Sequence, residues 1–294
     1  MLNWLRKLTG TAETQDARST SLADAGLASR YLALVRRGHV SARFDAASTD
    51  DNNRRHWSRA DALSADAAAS PEVRRTLRNR ARYEVANNSY ARGIVQTLAN
   101  DTVGTGPRLQ MQSPDKDVNR AVEREFELWK QEVGFAEKLR TMRIARIQDG
   151  EAFAMLATNP GLDHPVKLDL RLVEADRITS PLNRAEAEQM VDGIELDNHG
   201  NPRTYHVLRE HPGGSTWSFQ DDYQPVPARS MVHIFKSDRP GQHRGVPEIT
   251  PALPLFAQLR RFTLAVLGAA EAAADFAGIL YTDTPPTGEA EAIE

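Results

Sequence analysis

The sequence predicts an α+β fold: a partly disordered N-terminal arm, a helical block, a mainly antiparallel β block and a long Ala/Gly-rich helix. Three observations lead there. Apolar residues recur at helical spacing between Ser70 and Gln148. After Asp149-Gly150 the period changes to that of short strands separated by Pro, Gly and Asn turns. Beyond Pro247 a long stretch is crowded with Ala and Gly.

Composition bounds the rest. The 294 residues, 40% of them hydrophobic and 26% charged, are enough to bury a core and exclude disorder of the whole chain. The absence of cysteine excludes a disulfide scaffold, a thiolate zinc site, an iron–sulfur cluster and a cysteine nucleophile. The net charge of -3 hides an asymmetry: residues 1–110 hold 17 Lys and Arg against 11 Asp and Glu, and residues 111–294 hold 20 against 29. The first third therefore favours an anionic partner and the remainder repels one. Only 6 of the basic residues are Lys, against 31 Arg, a bias that base composition of the genome explains as well as function does.

Along the chain, residues 1–69 read as the arm, with short helical pieces at Arg30–Arg37 and Arg59–Ala69. The start Met1-Leu-Asn-Trp-Leu-Arg-Lys-Leu lacks the apolar run of a secretory signal. The helical part spans 70–148. Ser70 caps a helix with Pro71 at its first position and Glu72 in its first turn, running to Arg82 or on through Asn87-Asn88. Ser89–Asn100 follows, with Ile94, Val95 and Leu98 on one face. Val103–Pro107 is a turn, and Arg108–Gln112 alternates like a strand. Lys116–Val133 and Glu137–Gln148 are helices, the first with Val118, Val122, Phe126 and Trp129 in register. The β-rich part spans 149–240, with strands at Ala152–Ala157, Val166–Leu172, Gly193–Leu196, Thr204–Leu208 and Met231–Phe235. Residues 241–282 hold the long helix, Pro247–Tyr281, and 283–294 an acidic tail. Glu271 and Asp275, and the dominance of Ala, argue against a membrane span.

A search for chemistry finds little. Gly104-Thr-Gly106 lacks the third glycine of a dinucleotide loop and is followed by Pro107, and no GxxxxGK[ST] occurs. Asp149, Glu151, Glu174 and Asp176 gather at turns and strand ends. Carboxylates so grouped can bind a divalent cation for phosphodiester cleavage, although no D-x-D or E-x-K spacing sharpens the pattern. The eight histidines form no zinc pair, His233 reads as a core residue of its strand, and no G-x-S-x-G elbow appears. No catalytic residue, cofactor or metal site is expected.

Two features stand out physically. Arg74, Arg75, Arg78 and Arg82 share one side of the first helix, which can face DNA phosphates, acids of a neighbouring subunit or solvent. In the long helix, Ala265, Gly268, Ala269, Ala272 and Ala273 leave little bulk. An interior Gly costs about 1 kcal/mol, so close packing should offset it. Either the helix is buried within one domain, or it packs against copies of itself.

Several segments are familiar together: Phe44-Asp45-Ala46-Ala47 before Arg54 and Trp57, Leu77-Arg78-Asn79-Arg80-Ala81-Arg82, Asn87-Asn88-Ser89-Tyr90-Ala91 and Asn100–Gly106. Arg146–Phe153, Val173–Ile178, Gly200–Tyr205, Val226-Pro227-Ala228, Val232–Phe235, Asp238–Gln242 and Arg244-Gly245-Val246-Pro247 follow in order. Between about residues 44 and 284 the chain resembles the lambda-type portal proteins of tailed bacteriophages. The resemblance implies a virion protein assembled in the host cytoplasm. It implies a homo-oligomeric ring, usually of twelve subunits, at one capsid vertex. Double-stranded DNA is packaged through such a ring by a separate terminase and later ejected, and capsid, scaffold and head–tail joining proteins are its other partners. No catalytic centre and no membrane are implied. Members of the family are longer, so by this comparison the chain looks C-terminally truncated. The alternative from another class is a metal-dependent nuclease or hydrolase using Asp149, Glu151, Glu174 and Asp176.

Overall fold

The computed structural model describes residues 51, 54–181, 189–214, 222–276 and 278. The chain divides into two compact units, Met1–Ala62 and Leu63–Glu294. In the first, the described residues form a turn closed by a 3.0 Å bond from the Ala60 N–H to the Trp57 carbonyl. The expected helix at 30–37 and the expected tail at 283–294 lie outside the described residues.

The second unit opens with a single helical turn, α1 (Ala65–Ala68), capped by Ser64. The longer helix expected over 59–69 is thus confined to its last third, where Ala65 and Ala69 are buried. α2 (Pro71–Asn87) begins as its signals require: the Ser70 hydroxyl accepts from Val73 N–H and Pro71 occupies the first turn. Asn88 breaks it with an extended backbone and caps α3 (Ser89–Val103), accepting from the N–H groups of Tyr90 and Ala91. The buried face of α3 is Ala91, Val95 and Ala99, while Ile94 and Leu98 point outward. Of the expected face of Ile94, Val95 and Leu98, Val95 alone is buried. α3 packs tightly against α2, where Ala81, like Ala91 and Ala99, has no exposed surface, and a contact that close excludes longer side chains.

Arg108–Gln112 is not a strand. With no sheet edge to pair with, Met111 N–H donates to the Glu123 carboxylate at 2.8 Å, and Ser113 N–H to Asn119 Oδ1. Glu123 and Asn119 belong to α4 (Lys116–Glu132), whose Trp129 is buried and donates from Nε1 to the Leu168 carbonyl at 2.8 Å. Val118 and Val122 of the same expected stripe stay largely exposed. α5 (Phe135–Asp149) ends at Gly150, whose positive φ of 94° comes with a close approach: a Cβ there would lie 2.5 Å from the Val246 carbonyl carbon.

The β layer comprises β1 (Glu151–Thr158), β2 (Leu168–Val173), β3 (Met190–Val191), β4 (Ile194–Leu196), β5 (Pro202–Leu208), β6 (Tyr223–Pro227) and β7 (Met231–Phe235). Among the described residues all pairs are antiparallel, in two sheets ordered β2-β1-β7 and β3-β4-β5-β6. The period of two on β1 sends Phe153 and Met155 into a core shared with Ile194, Tyr205 and Val207 of the second sheet. It sends Ala152 and Ala154 against Trp129 and Met142 of the helices. The result is helices on one sheet and a second sheet on its other face, an α+β architecture. β6 was invisible to the periodicity because Pro225 and Pro227 occupy two of its five positions; it is an edge strand, where proline is tolerated.

α6 (Leu253–Asp275) follows a 3-10 turn, Thr250–Ala252, and is shorter at both ends than the 247–281 expected. Leu253 and Phe256 bury its first turn against Ala81, Ala91, Val95 and Ile147. Among the described residues, no helix is long and apolar enough to cross a membrane.

Candidate functional site

The segment leading into α6 is fastened by a buried ion pair. Arg244, on the turn after β7, donates from Nε to both oxygens of Glu151 at 3.1 and 2.9 Å and from Nη2 to Oε1 at 2.6 Å. Both side chains are at most 1% exposed. Gly245 N–H adds a 3.1 Å bond to the same carboxylate, and Arg244 Nη1 donates to the Ile178 and Asp192 carbonyls. Asp192 and Gly193 both have positive φ, 36° and 84°, so this Asp-Gly pair forms the tight β3–β4 turn and aims the Asp192 carboxylate at Arg244 and Arg74.

Glu151 is flanked on its other side by His233, whose Nε2 lies 3.1 Å from Oε2, while Tyr205 lies 3.4 Å from Nδ1. Neutral His233 with its hydrogen on Nε2 satisfies both: it donates to Glu151 and accepts from the Tyr205 hydroxyl. Burial holds the His233 pKa below its ordinary value, and burial pushes the Tyr205 hydroxyl up to about 12. Burial also opposes the charge on Glu151, but Arg244 and the His233 hydrogen bond overcome it and hold the carboxyl well below the usual range.

Three of the four acids singled out in the sequence, Asp149, Glu151 and Asp176, are engaged by arginines. Asp149 accepts two bonds from Arg82 at 2.7 and 3.0 Å, and burial pushes its carboxyl up despite them. Asp176 lies 2.8 Å from Arg82 and 3.7 Å from Arg78. Glu174 lies 2.9 Å from His211 Nε2. Glu174, Asp176 and His211 do bring one potential ligand atom each within 4.8 Å of one another. However, His211 Nδ1 accepts the Gly213 N–H at 2.9 Å. In the neutral ring that places the hydrogen on Nε2, the atom a metal would need free. The trio is therefore a charge-contact cluster, with His211 Nε2 2.9 Å from Glu174 and 3.8 Å from Asp176.

The arginine side of α2 also turns inward. Arg74 is 2% exposed and donates to the Ala69 carbonyl and to Asp192, Arg78 is 5% exposed, Arg82 holds Asp149 and Asp176, and only Arg75 is exposed. The acids that meet this side belong to the chain itself, Asp149 at the end of α5 and Asp176 and Asp192 in the β layer, a partner not among the three the sequence left open. Arg244 and Asp192 were missed as site residues; the Asp192-Gly193 turn dipeptide was the available signal for one of them.

α6 is the opposite case. From Arg261 to Phe276 every described residue is exposed, including Ala265, Gly268, Ala269, Ala272 and Ala273. A Cβ at Gly268 would meet nothing within 4 Å. Phe262, Leu264 and Leu267 are each more than half exposed. The close packing expected for the small residues is not supplied by the described part of this chain. A helix of 23 residues extends about 34 Å, and its outer part lacks the packing that stabilises helices in water.

The body thus clamps with a buried ion pair the root of a helix whose outer part is bare among the described residues. The chain belongs to the lambda family of phage portal proteins, whose profile matches residues 50–294. It is 26% identical over 188 residues to the probable portal protein of Halomonas phage phiHAP-1, covering 58% of this chain and 36% of that relative. Against portal protein B of Escherichia phage lambda the identity is 26% over 210 residues, covering 62% of this chain and 38% of the relative. The chain thus matches little more than a third of the length of either.

Proposed function

We propose that this chain is a subunit of a phage portal: a homo-oligomeric ring at one capsid vertex, twelve-membered by the family's habit. Double-stranded DNA is packaged and ejected through it, and the tail attaches to it. In this reading it is a virion component without catalysis of its own, and its partners are terminase, capsid, scaffold and head–tail joining proteins. Residues 70–148 and 149–240 form the body and 241–282 the packing element, with Ala265, Gly268, Ala269, Ala272 and Ala273 at the contact between copies. The observation that carries it is the bare outer part of α6 in a chain matched to portal proteins. A ring uses a heterologous contact, in which one patch meets a different patch on the next copy.

Gly268→Leu tests it. In the isolated chain the new side chain meets nothing, and leucine's helix propensity raises helix stability by about 0.8 kcal/mol. Between copies the same side chain overpacks the contact at about 1–3 kcal/mol. Sedimentation of the full chain should show loss of assembly, with the melting temperature of the monomer not lowered. Full-sized rings of the variant would remove this face from the interface.

A further inference from the structure

β7 ends its sheet without protection. An open sheet edge pairs with any strand that meets it, and proteins guard such edges with charges, prolines or brevity. Among the described edge strands, β2 carries Asp169 and Arg171, β3 has only two residues, and β6 holds Pro225 and Pro227. β7, Met231-Val-His-Ile-Phe235, has none of these devices. Among the described residues, Val232–Phe235 make no main-chain hydrogen bond outside the ladder with β1.

A cleft of about 450 Å³ adjoins this strand, lined by Val103, Leu139, Met142, Arg143, Arg146 and Ile234. Ile234 stands opposite Ala152 in the ladder, on the side of the sheet where the helices pack. Alternate side chains of a strand added to β7 would therefore point into the cleft. Its wall is apolar and cationic together. Arg143 and Arg146, with side chains 17% and 29% exposed, share one oxygen of Glu248 at 2.9 and 2.8 Å. Arg140, on the same helix, donates to the Gly104 carbonyl and makes no ion pair among the described residues. One carboxylate thus faces a run of three arginines, and the wall keeps a surplus of positive charge.

An open edge beside such a wall calls for an extended segment with acids and an apolar residue on one side. Residues 1–50 and 279–294 are the terminal stretches outside the main described body. The first holds seven Lys and Arg against five Asp and Glu, and its apolar run Tyr31–Val35 is flanked by Arg30, Arg36 and Arg37. The arginine wall disfavours it. Residues 283–294 hold Asp283, Glu289, Glu291 and Glu294 and no Lys or Arg. In Glu289-Ala-Glu-Ala-Ile-Glu294 a period of two sets Glu289, Glu291 and Ile293 on one side and Ala290 and Ala292 on the other. Two acids then match two arginines, and Ile293 matches Leu139 and Met142. Reach is sufficient as well. Glu248, just ahead of α6, places the cleft beside the helix root. The chain from Asp275 to Glu289 spans up to about 46 Å when extended, against about 34 Å for α6.

We propose that residues 289–294 of the same chain return along α6 and add to the open edge of β7, with Glu289 and Glu291 paired to Arg143 and Arg146 and Ile293 in the cleft. The proposal stands independently of the portal reading.

Hydrogen–deuterium exchange of the full chain tests it. The amides of β7 should exchange about tenfold faster in Glu289→Lys/Glu291→Lys than in the parent, because the charge reversal repels the added strand. Equal exchange would overturn the proposal. The chain has no cysteine, so an introduced pair reports contact cleanly. Thr102 is exposed and borders the cleft, and Thr102→Cys/Ile293→Cys should form a disulfide within one chain on mild oxidation. A disulfide formed only between chains would assign the edge to a second copy and overturn the proposal. So would faster closure of Thr102→Cys/Leu32→Cys, which would assign the cleft to the N-terminal stretch.

Discussion

Replacing Arg244 with Met should be among the most damaging single changes in the body. The substitution keeps much of the apolar stem and removes the guanidinium. Glu151, fully buried, then loses three contacts of 3.1 Å or less and keeps only His233 and the Gly245 N–H. The carbonyls of Ile178 and Asp192 lose their donor as well. Removing one partner of a buried pair costs about 3–5 kcal/mol, because the remaining charge is stranded. At about 2–4 °C per kcal/mol for a chain of this size, the melting temperature should fall by about 10 °C. The double variant Glu151→Met/Arg244→Met removes the stranded charge and should recover more than half of the loss, although the two freed carbonyls remain. Thermal and urea unfolding followed by circular dichroism measure both. A loss below about 1 kcal/mol for Arg244→Met, or a double variant as unstable as the summed singles, would refute the claim that this pair fastens the root of α6.

Acid should weaken the same region in two steps. Because His233 titrates below its ordinary 6.5 when folded, the unfolded chain binds the extra proton between the two values, so stability rises as pH climbs to about 6.5. Glu151 titrates well below 4.5 when folded, so its contribution is present above that value and is lost as pH falls through the depressed one. His233→Gln should flatten the upper step and leave the lower one, as read from urea midpoints across pH. Gly245→Ala should cost about 3 kcal/mol or more, since its Cβ would lie 2.1 Å from the Gly150 carbonyl oxygen. Gly93→Ala, in the exposed middle of α3 with nothing within 4 Å, should instead stabilise by up to about 1 kcal/mol in the same denaturation assay.

Where local chemistry decides an element, the sequence was sufficient. Ser70-Pro71-Glu72 starts a helix whether or not anything packs on it, and Met231–Phe235 forms its strand with the expected ends. Where a neighbour decides, it was not. The packed face of α3 follows from how closely α2 approaches, which makes Ala91 and Ala99 core and leaves Ile94 and Leu98 outside. Arg108–Gln112 alternates correctly for a strand and is none, for want of an edge. Pro225 and Pro227 concealed an edge strand from the same rules.

The candidate site divides along the same line. That the last long helix is rich in small residues and too polar for a membrane was determined by the sequence itself, because composition and charge belong to the residues alone. So were the unusual concentration of arginine on one side of α2 and the acids at the ends of the helical block and of the strands. Which cation meets which acid was decided only by the tertiary structure. Glu151 and Arg244 stand 93 positions apart, and no periodicity relates residues that distant. The tertiary structure also turned Arg74, Arg78 and Arg82 inward, since the end of α5 places Asp149, and the β layer Asp176 and Asp192, under α2, and burial makes charge pairing obligatory for all of them. It left the outer part of α6 bare for the complementary reason: its apolar side chains find no second surface in the described chain, and a hydrophobic contact needs one.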